Sequence, residues 1–152
     1  VPIPVTIVSE HDVPPLLMAE LLAIANDVED CLSVVRIPPI VVRMDCSFAT
    51  SKRNFAGVIT GDVVIMYLCP DFANQPISRI RGVLYHEMGH ILQWLEKKMT
   101  GRVDQEGRDY EQDCDYKIES TCGVKIYYDE DRVQRVGKRK PHWLKKRPRG
   151  LE

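Results

Sequence analysis

The run His86-Glu87-Met88-Gly89-His90 stands in the middle of a segment in which Ile77, Ile80, Leu84, Met88, Ile91, Leu95 and Met99 recur three or four residues apart. That spacing is one apolar stripe of a helix, with Pro76 in its first turn and Gly101 as its stop. Residues i and i+4 of a helix lie about 40° apart around the axis and about 6 Å along it, so both imidazoles point to one side and can share a metal ion. Glu87 then falls beside the metal rather than on it. A carboxylate there can take a proton from a metal-bound water and pass it to a leaving amine. Zn2+ suits this donor set, because imidazole is a good ligand and an open fourth position lowers the pKa of bound water to roughly 7.

A catalytic zinc ordinarily takes three protein ligands, so a third is expected elsewhere. The next helical candidate runs from about Asp109 to Cys122, with Gly123 as its stop. Within it Glu111 and Asp115 stand at i and i+4 on one face. Glu111 is the expected third ligand, and Asp115 the expected acceptor for the free ring N–H of a ligand histidine, fixing its tautomer. Asp113 is the alternative ligand and Asp109 a further one. Five of the eleven residues from Asp109 to Glu119 are acidic, so a merely solvated face is the competing reading. For an oxyanion donor, Tyr110, Tyr116, Tyr127, Tyr128, His11 and His142 qualify by type, and nothing in the sequence chooses among them.

Outward from these two helices the chain reads as alternating elements. Ile3 to Val8 is a short strand. Asp12, with Pro14 and Pro15, opens a helix of about 20 residues whose stripe is Val13, Leu17, Leu21, Ile24, Val28, Leu32 and Val35. Ile40 to Met44 is a β-branched strand, and Ser47 to Asn54 a polar loop. Gly57 to Ile59 and Val63 to Leu68, joined by Thr60-Gly61-Asp62, form a hairpin.

Composition bounds the rest. With 152 residues, 44% hydrophobic and 28% charged, the chain fits one globular domain with a sizeable core, and collagenous, coiled-coil and wholly disordered readings are excluded. Five cysteines without a C-x-x-C pair argue against a disulfide scaffold and for a reducing compartment. The opening VPIPVTIVSE lacks a signal-peptide pattern and no apolar run approaches about 18 residues, so a cytoplasmic protein with no membrane partner is expected. The net charge of −1 conceals an asymmetry. Residues 1–131 hold 21 acidic and 12 basic side chains, whereas 132–149 hold nine basic and none acidic. The chain therefore divides into a domain at 1–131 and a basic tail at 132–152. The tail is expected to be solvated, to lie against the acidic body, or to bind nucleic acid with Trp143 stacking on a base.

HEMGH on one helix, followed after 20 intervening residues by EQDCD on another, resembles the gluzincin zinc metallopeptidases, whose pattern is HExxH followed by ExxxD. The resemblance spans about residues 63–123. It implies that His86, His90 and Glu111 ligate zinc, that Glu87 is general base and that Asp115 supports a ligand histidine. It also implies that Val63 to Leu68, with Val64, Ile65 and Met66 at its centre, is the edge strand on which a peptide lies. Cys114 stands where such proteins usually carry a small residue, allowing close packing. Gln93 and Glu96 occupy the places where the metzincin pattern needs glycine and histidine, which excludes that sister class. The expected architecture is α+β and zincin-like: a small, mainly antiparallel sheet, a packing helix, the HExxH helix and a following ligand helix. The expected function is hydrolysis of peptide bonds by a minimal single-domain metallopeptidase. The alternative is a non-catalytic metal-binding protein, such as a phage or mobile-element component, that uses its tail on nucleic acid.

Overall fold

The computed structural model describes residues 4–10, 12–32, 35–47 and 55–137. Three helices and two sheets make an α+β fold. The first sheet has the spatial order β1-β2-β4-β3, built from β1 (Ile7–Ser9), β2 (Ile40–Met44), β3 (Ala56–Ile59) and β4 (Val64–Leu68). β1 runs parallel to β2 and β2 parallel to β4, and only β3 is antiparallel to its neighbour. The sheet is therefore mixed, not mainly antiparallel. Its parallel half follows from helix α1 (Pro15–Asp30), which carries the chain back from β1 so that β2 starts at the same end.

The hairpin forms as its glycine-containing turn requires, but β4 is an interior strand. After β2 the chain lays β3 at the rim and returns as β4 between β3 and β2. Sequence accounts for the order. Val64, Met66 and Leu68 are fully buried, while Ile65 and Tyr67 on the other face are half-buried, a pattern that profits from neighbours on both sides. β3 is four residues long, contains Gly57 and leaves Ile59 exposed, which suits a rim.

One core joins the sheet to the helices. Ile40 and Val42 of β2 and the buried residues of β4 pack against Leu17, Leu21, Ile24 and Val28 of α1. Ile80, Leu84, Met88 and Ile91 of α2 (Ile77–Thr100) complete it. Each fully buried aliphatic side chain contributes about 1.5–3 kcal/mol relative to exposure. α1 begins at Pro15 with Pro14 as its cap residue, so Asp12 does not cap it. α2 ends where Gly101 takes the left-handed φ of 91°. α3 (Tyr110–Cys122) starts at Asp109, whose carboxylate accepts the Gln112 N–H, and ends at Gly123 with φ 68°.

α2 and α3 touch at main-chain distance. A Cβ built on Gly89 would lie 2.4 Å from the Cys114 carbonyl oxygen and 2.6 Å from its Sγ, so only glycine admits this approach. A second, two-stranded sheet follows α3, made of β5 (Val124–Tyr127) and β6 (Arg132–Arg135). It rests on α2 at Gly82, where Ile126 lies 3.2 Å from the position a Cβ would take. Arg79–Asp131 and Arg135–Asp27 ion pairs fasten it to α2 and α1. The first four residues of the basic segment are thus a strand, and the boundary expected after Asp131 falls inside this hairpin. Residues 138–152, including Trp143 and His142, lie outside the described residues, as do His11 and most of the 47–54 loop. Among the described residues no helix is long and apolar enough to cross a membrane.

Candidate metal centre

Met88 and Ile91 face the core from α2, which turns His86 and His90 toward α3 and a surface cleft. There the His86 Nε2 lies 2.7 Å from Glu111 Oε2, and the His90 Nε2 lies 3.2 Å from the same oxygen. Ligands about 2.0 Å from a tetrahedral zinc sit about 3.3 Å from one another, so the Glu111 oxygen is within ligand-to-ligand reach of each imidazole. Both rings have their other nitrogen occupied. His86 Nδ1–H donates to Asp115 Oδ1 at 2.7 Å, and His90 Nδ1–H to Gln93 Oε1 at 3.0 Å. Each arrangement directs Nε2 at Glu111, and an Nδ1–H held by an acceptor is the pattern of a metal-ligating histidine.

A second set overlaps the first. His86, His90 and Cys114 place one donor atom each within 4.8 Å of one another and form a candidate metal site. Cys114 is fully buried, and its S–H donates to the His86 carbonyl oxygen at 2.7 Å. Burial above all, with Asp115, Glu87 and other carboxylates adding, pushes this thiol far above the ordinary range. A thiolate is what a metal needs, so this environment opposes ligation.

Glu87 is 6% exposed and lines the cleft beside His86, His90, Glu111 and Asp115. Burial raises its carboxyl to about 7, with His86 pulling down and Glu111 and Asp115 pushing up. A base that titrates near neutrality is well matched to taking and returning one proton. For His86, burial favours the neutral ring, yet Asp115, Glu87 and Glu111 outweigh it and hold the imidazole at about 9.

The other residues singled out by sequence separate cleanly. Asp113 faces away from the histidines. It is fully buried, 2.8 Å from Arg108 and 3.3 Å from Lys117, and accepts from Gln93 Nε2 at 3.0 Å. Two residues along a helix turn the side chain by about 200°, so Asp113 cannot share the Glu111 face, and it is not a ligand. Asp109 is committed to capping α3. Val64, Ile65 and Met66 are not an edge: the rim beside the cleft is β3, and Phe55, Ala56, Gly57 and Val58 form that wall. Tyr110 stacks on His90 with centroids 5.5 Å apart, and Tyr128 O–H donates to Asp115 at 2.9 Å. Tyr116 lies under Arg108 and Tyr127 under Arg132.

Gln93 is the functional neighbour that the sequence reading missed. Its signal was its place at i+3 from His90, on the adjoining helix surface. Tyr128 was recognised by type alone, because the turn after β5 that brings it to Asp115 has no strong periodic signature. No protein-family model, curated protein or solved structure matches the chain.

Proposed function

We propose that the chain is a zinc-dependent peptidase whose ligands are His86, His90 and Glu111. The observation that carries this reading is the convergence of both Nε2 atoms on one Glu111 oxygen while both Nδ1–H groups are held by acceptors. Glu111 is preferred to Cys114 because a carboxylate is ionised at neutral pH and this one is exposed to the cleft, whereas the thiol keeps its proton on a backbone carbonyl. When bound, zinc would supply a Lewis acid that acidifies water and polarises a carbonyl.

The chain's own groups account for the rest. Glu87 accepts a proton from the attacking water as its oxygen bonds to the carbonyl carbon. It delivers that proton to the amine nitrogen as the C–N bond breaks, so no covalent enzyme intermediate is required. Asp115, anchored by Tyr128, keeps His86 in one tautomer. Among the described residues no strand pairs with the outer rim of β3 along the cleft, and on that rim an extended peptide can add as a further strand. Phe55, Val58 and Val83 give that cleft an apolar lining suited to side chains of the peptide.

The test is cleavage of a diverse peptide library, read by mass spectrometry, with wild type and Glu87→Gln compared at matched zinc occupancy. Cleavage by wild type alone supports the reading. Equal cleavage by both proteins, or a native wild-type protein that takes up no zinc, refutes it.

A further inference from the structure

The two histidines are held by chemically different partners. His86 has a carboxylate, whereas His90 has the neutral amide of Gln93, which is itself fully buried. The orientation of that amide follows from its other contacts. Gln93 Nε2 is 2.9 Å from the Tyr110 carbonyl oxygen and 3.0 Å from Asp113 Oδ2. A carbonyl and a carboxylate only accept, so the NH2 end must face them and the Oε1 end must face His90. An amide oxygen only accepts as well, so His90 must carry its proton on Nδ1.

Asp113 is in turn immobilised. Arg108 reaches Asp113 Oδ1 at 2.8 Å and Lys117 at 3.3 Å, while the ammonium of Lys117 also pairs with Glu96 at 3.0 Å. Asp113, Lys117 and Glu96 are the buried members of this cluster, while Arg108 is partly exposed and also pairs with Glu106 at 3.5 Å. Flipping the Gln93 amide would set its oxygen against two acceptors, the Tyr110 carbonyl and the Asp113 carboxylate.

We propose that Gln93 is a positioning residue, aimed by Asp113, which holds His90 in the Nδ1–H tautomer and so presents Nε2 to the metal. The Arg108–Asp113–Lys117–Glu96 cluster thereby acts on the site through one amide, without touching the ion. This inference rests on the zinc reading for its purpose but not for its geometry.

Two readouts test it. The first is the nitrogen-15 NMR pattern of the His90 ring in metal-free protein at alkaline pH, which reports the tautomer directly. The second is zinc affinity by competition with a chromogenic chelator. Gln93→Met keeps the volume and removes the acceptor. It is expected to populate the Nε2–H tautomer and to weaken zinc binding about 10–100-fold, the usual effect of losing such a partner. Should Gln93→Met fold poorly, Gln93→Asn keeps a buried amide on a side chain too short to span His90 and Asp113. It is expected to lose the Nδ1–H preference and the affinity in the same way. A wild-type ring already in the Nε2–H form overturns the inference, as does a Gln93→Met protein with unchanged tautomer and affinity. If wild type binds no zinc, the metal reading falls, and the ring spectrum still decides the assignment to Gln93.

Discussion

Replacing Gly89 by alanine should damage the proposed metal centre without touching any of the proposed ligands. The new methyl carbon would sit 2.4 Å from the Cys114 carbonyl oxygen, 2.6 Å from its Sγ and 2.9 Å from its carbonyl carbon. Ordinary contacts of this kind begin near 3.4 Å, so α3 must retreat by about 1 Å, because two of the three blocking atoms, the carbonyl carbon and oxygen, are main chain that cannot swing aside. Overpacking of this sort costs about 1–3 kcal/mol, against which alanine returns about 1 kcal/mol of helix propensity. The net destabilisation is therefore up to about 2 kcal/mol, measurable by urea unfolding of the metal-free protein. The larger effect is on geometry. Glu111 rides on α3 and its oxygen now lies 2.7 and 3.2 Å from the two Nε2 atoms. Metal bonds tolerate about 0.2 Å, so zinc affinity should fall at least about tenfold. Gly82→Ala is the control, since its methyl meets the side-chain ends of Ile126 at 3.2 Å and Val133 at 3.7 Å, which can adjust. It should leave zinc binding intact. Adding Cys114→Ala to Gly89→Ala should not rescue, because the carbonyl contact persists. A Gly89→Ala protein as stable and as avid for zinc as wild type would refute the reasoning.

Three further outcomes are expected. Glu111→Ala should weaken zinc binding by orders of magnitude whereas Cys114→Ala should keep it, read by the same competition assay; the reverse ranking would assign the third ligand to the thiol. Because His86 is held at about 9 in the metal-free protein, zinc must displace its proton, and affinity should fall about tenfold per pH unit on going from pH 8 to 6. The same raised pKa stabilises metal-free protein fully below about 6.5, and that stability is lost as pH rises through 9; thermal melts in chelator at the two ends check the sign. Asp113→Ala leaves buried Lys117 with Glu96 as its remaining carboxylate partner, and should cost about 3 kcal/mol, the low end for breaking a buried pair, in urea unfolding.

Much of the site was legible because it is local. α2 and α3 have strong apolar or capping signals, and their glycine stops at Gly101 and Gly123 fall where the sequence puts them. His86, Glu87, His90, Glu111 and Asp115 line one cleft, as spacing on two helices allows. The choice between Glu111 and Asp113 was not legible, since it depends on which side of α3 meets α2. The i,i+4 pair of Asp113 and Lys117 was the available hint that this face is occupied by its own ion cluster. Sheet order was likewise hidden. Nothing within Val64–Leu68 says whether a third strand covers its far side, and the parallel pairing of β1 with β2 is set by the return of the chain through α1. The β5–β6 hairpin escaped notice because Lys125, Arg132 and Arg135 dilute its alternation, leaving Ile126 and Val133, which pair across the strands and rest on α2 at Gly82, as a short apolar signal.

The main-chain contact at Gly89 also bears on which ion the site can accept. A donor set carried on long, loosely packed side chains can widen or tighten around ions of different radius. Here the Cys114 carbonyl stops the helices from closing further, and the core residues Met88, Ile91 and Ile118 resist their separation. On the zinc reading, the gap between α2 and α3 is a fixed gauge. An ion such as Ca2+, which takes roughly six to eight oxygens at about 2.3–2.6 Å, finds too few donors and no freedom to recruit more. Size discrimination would then be a property of the spacing between two backbones, retained even when residues around the cleft are exchanged to alter what it admits.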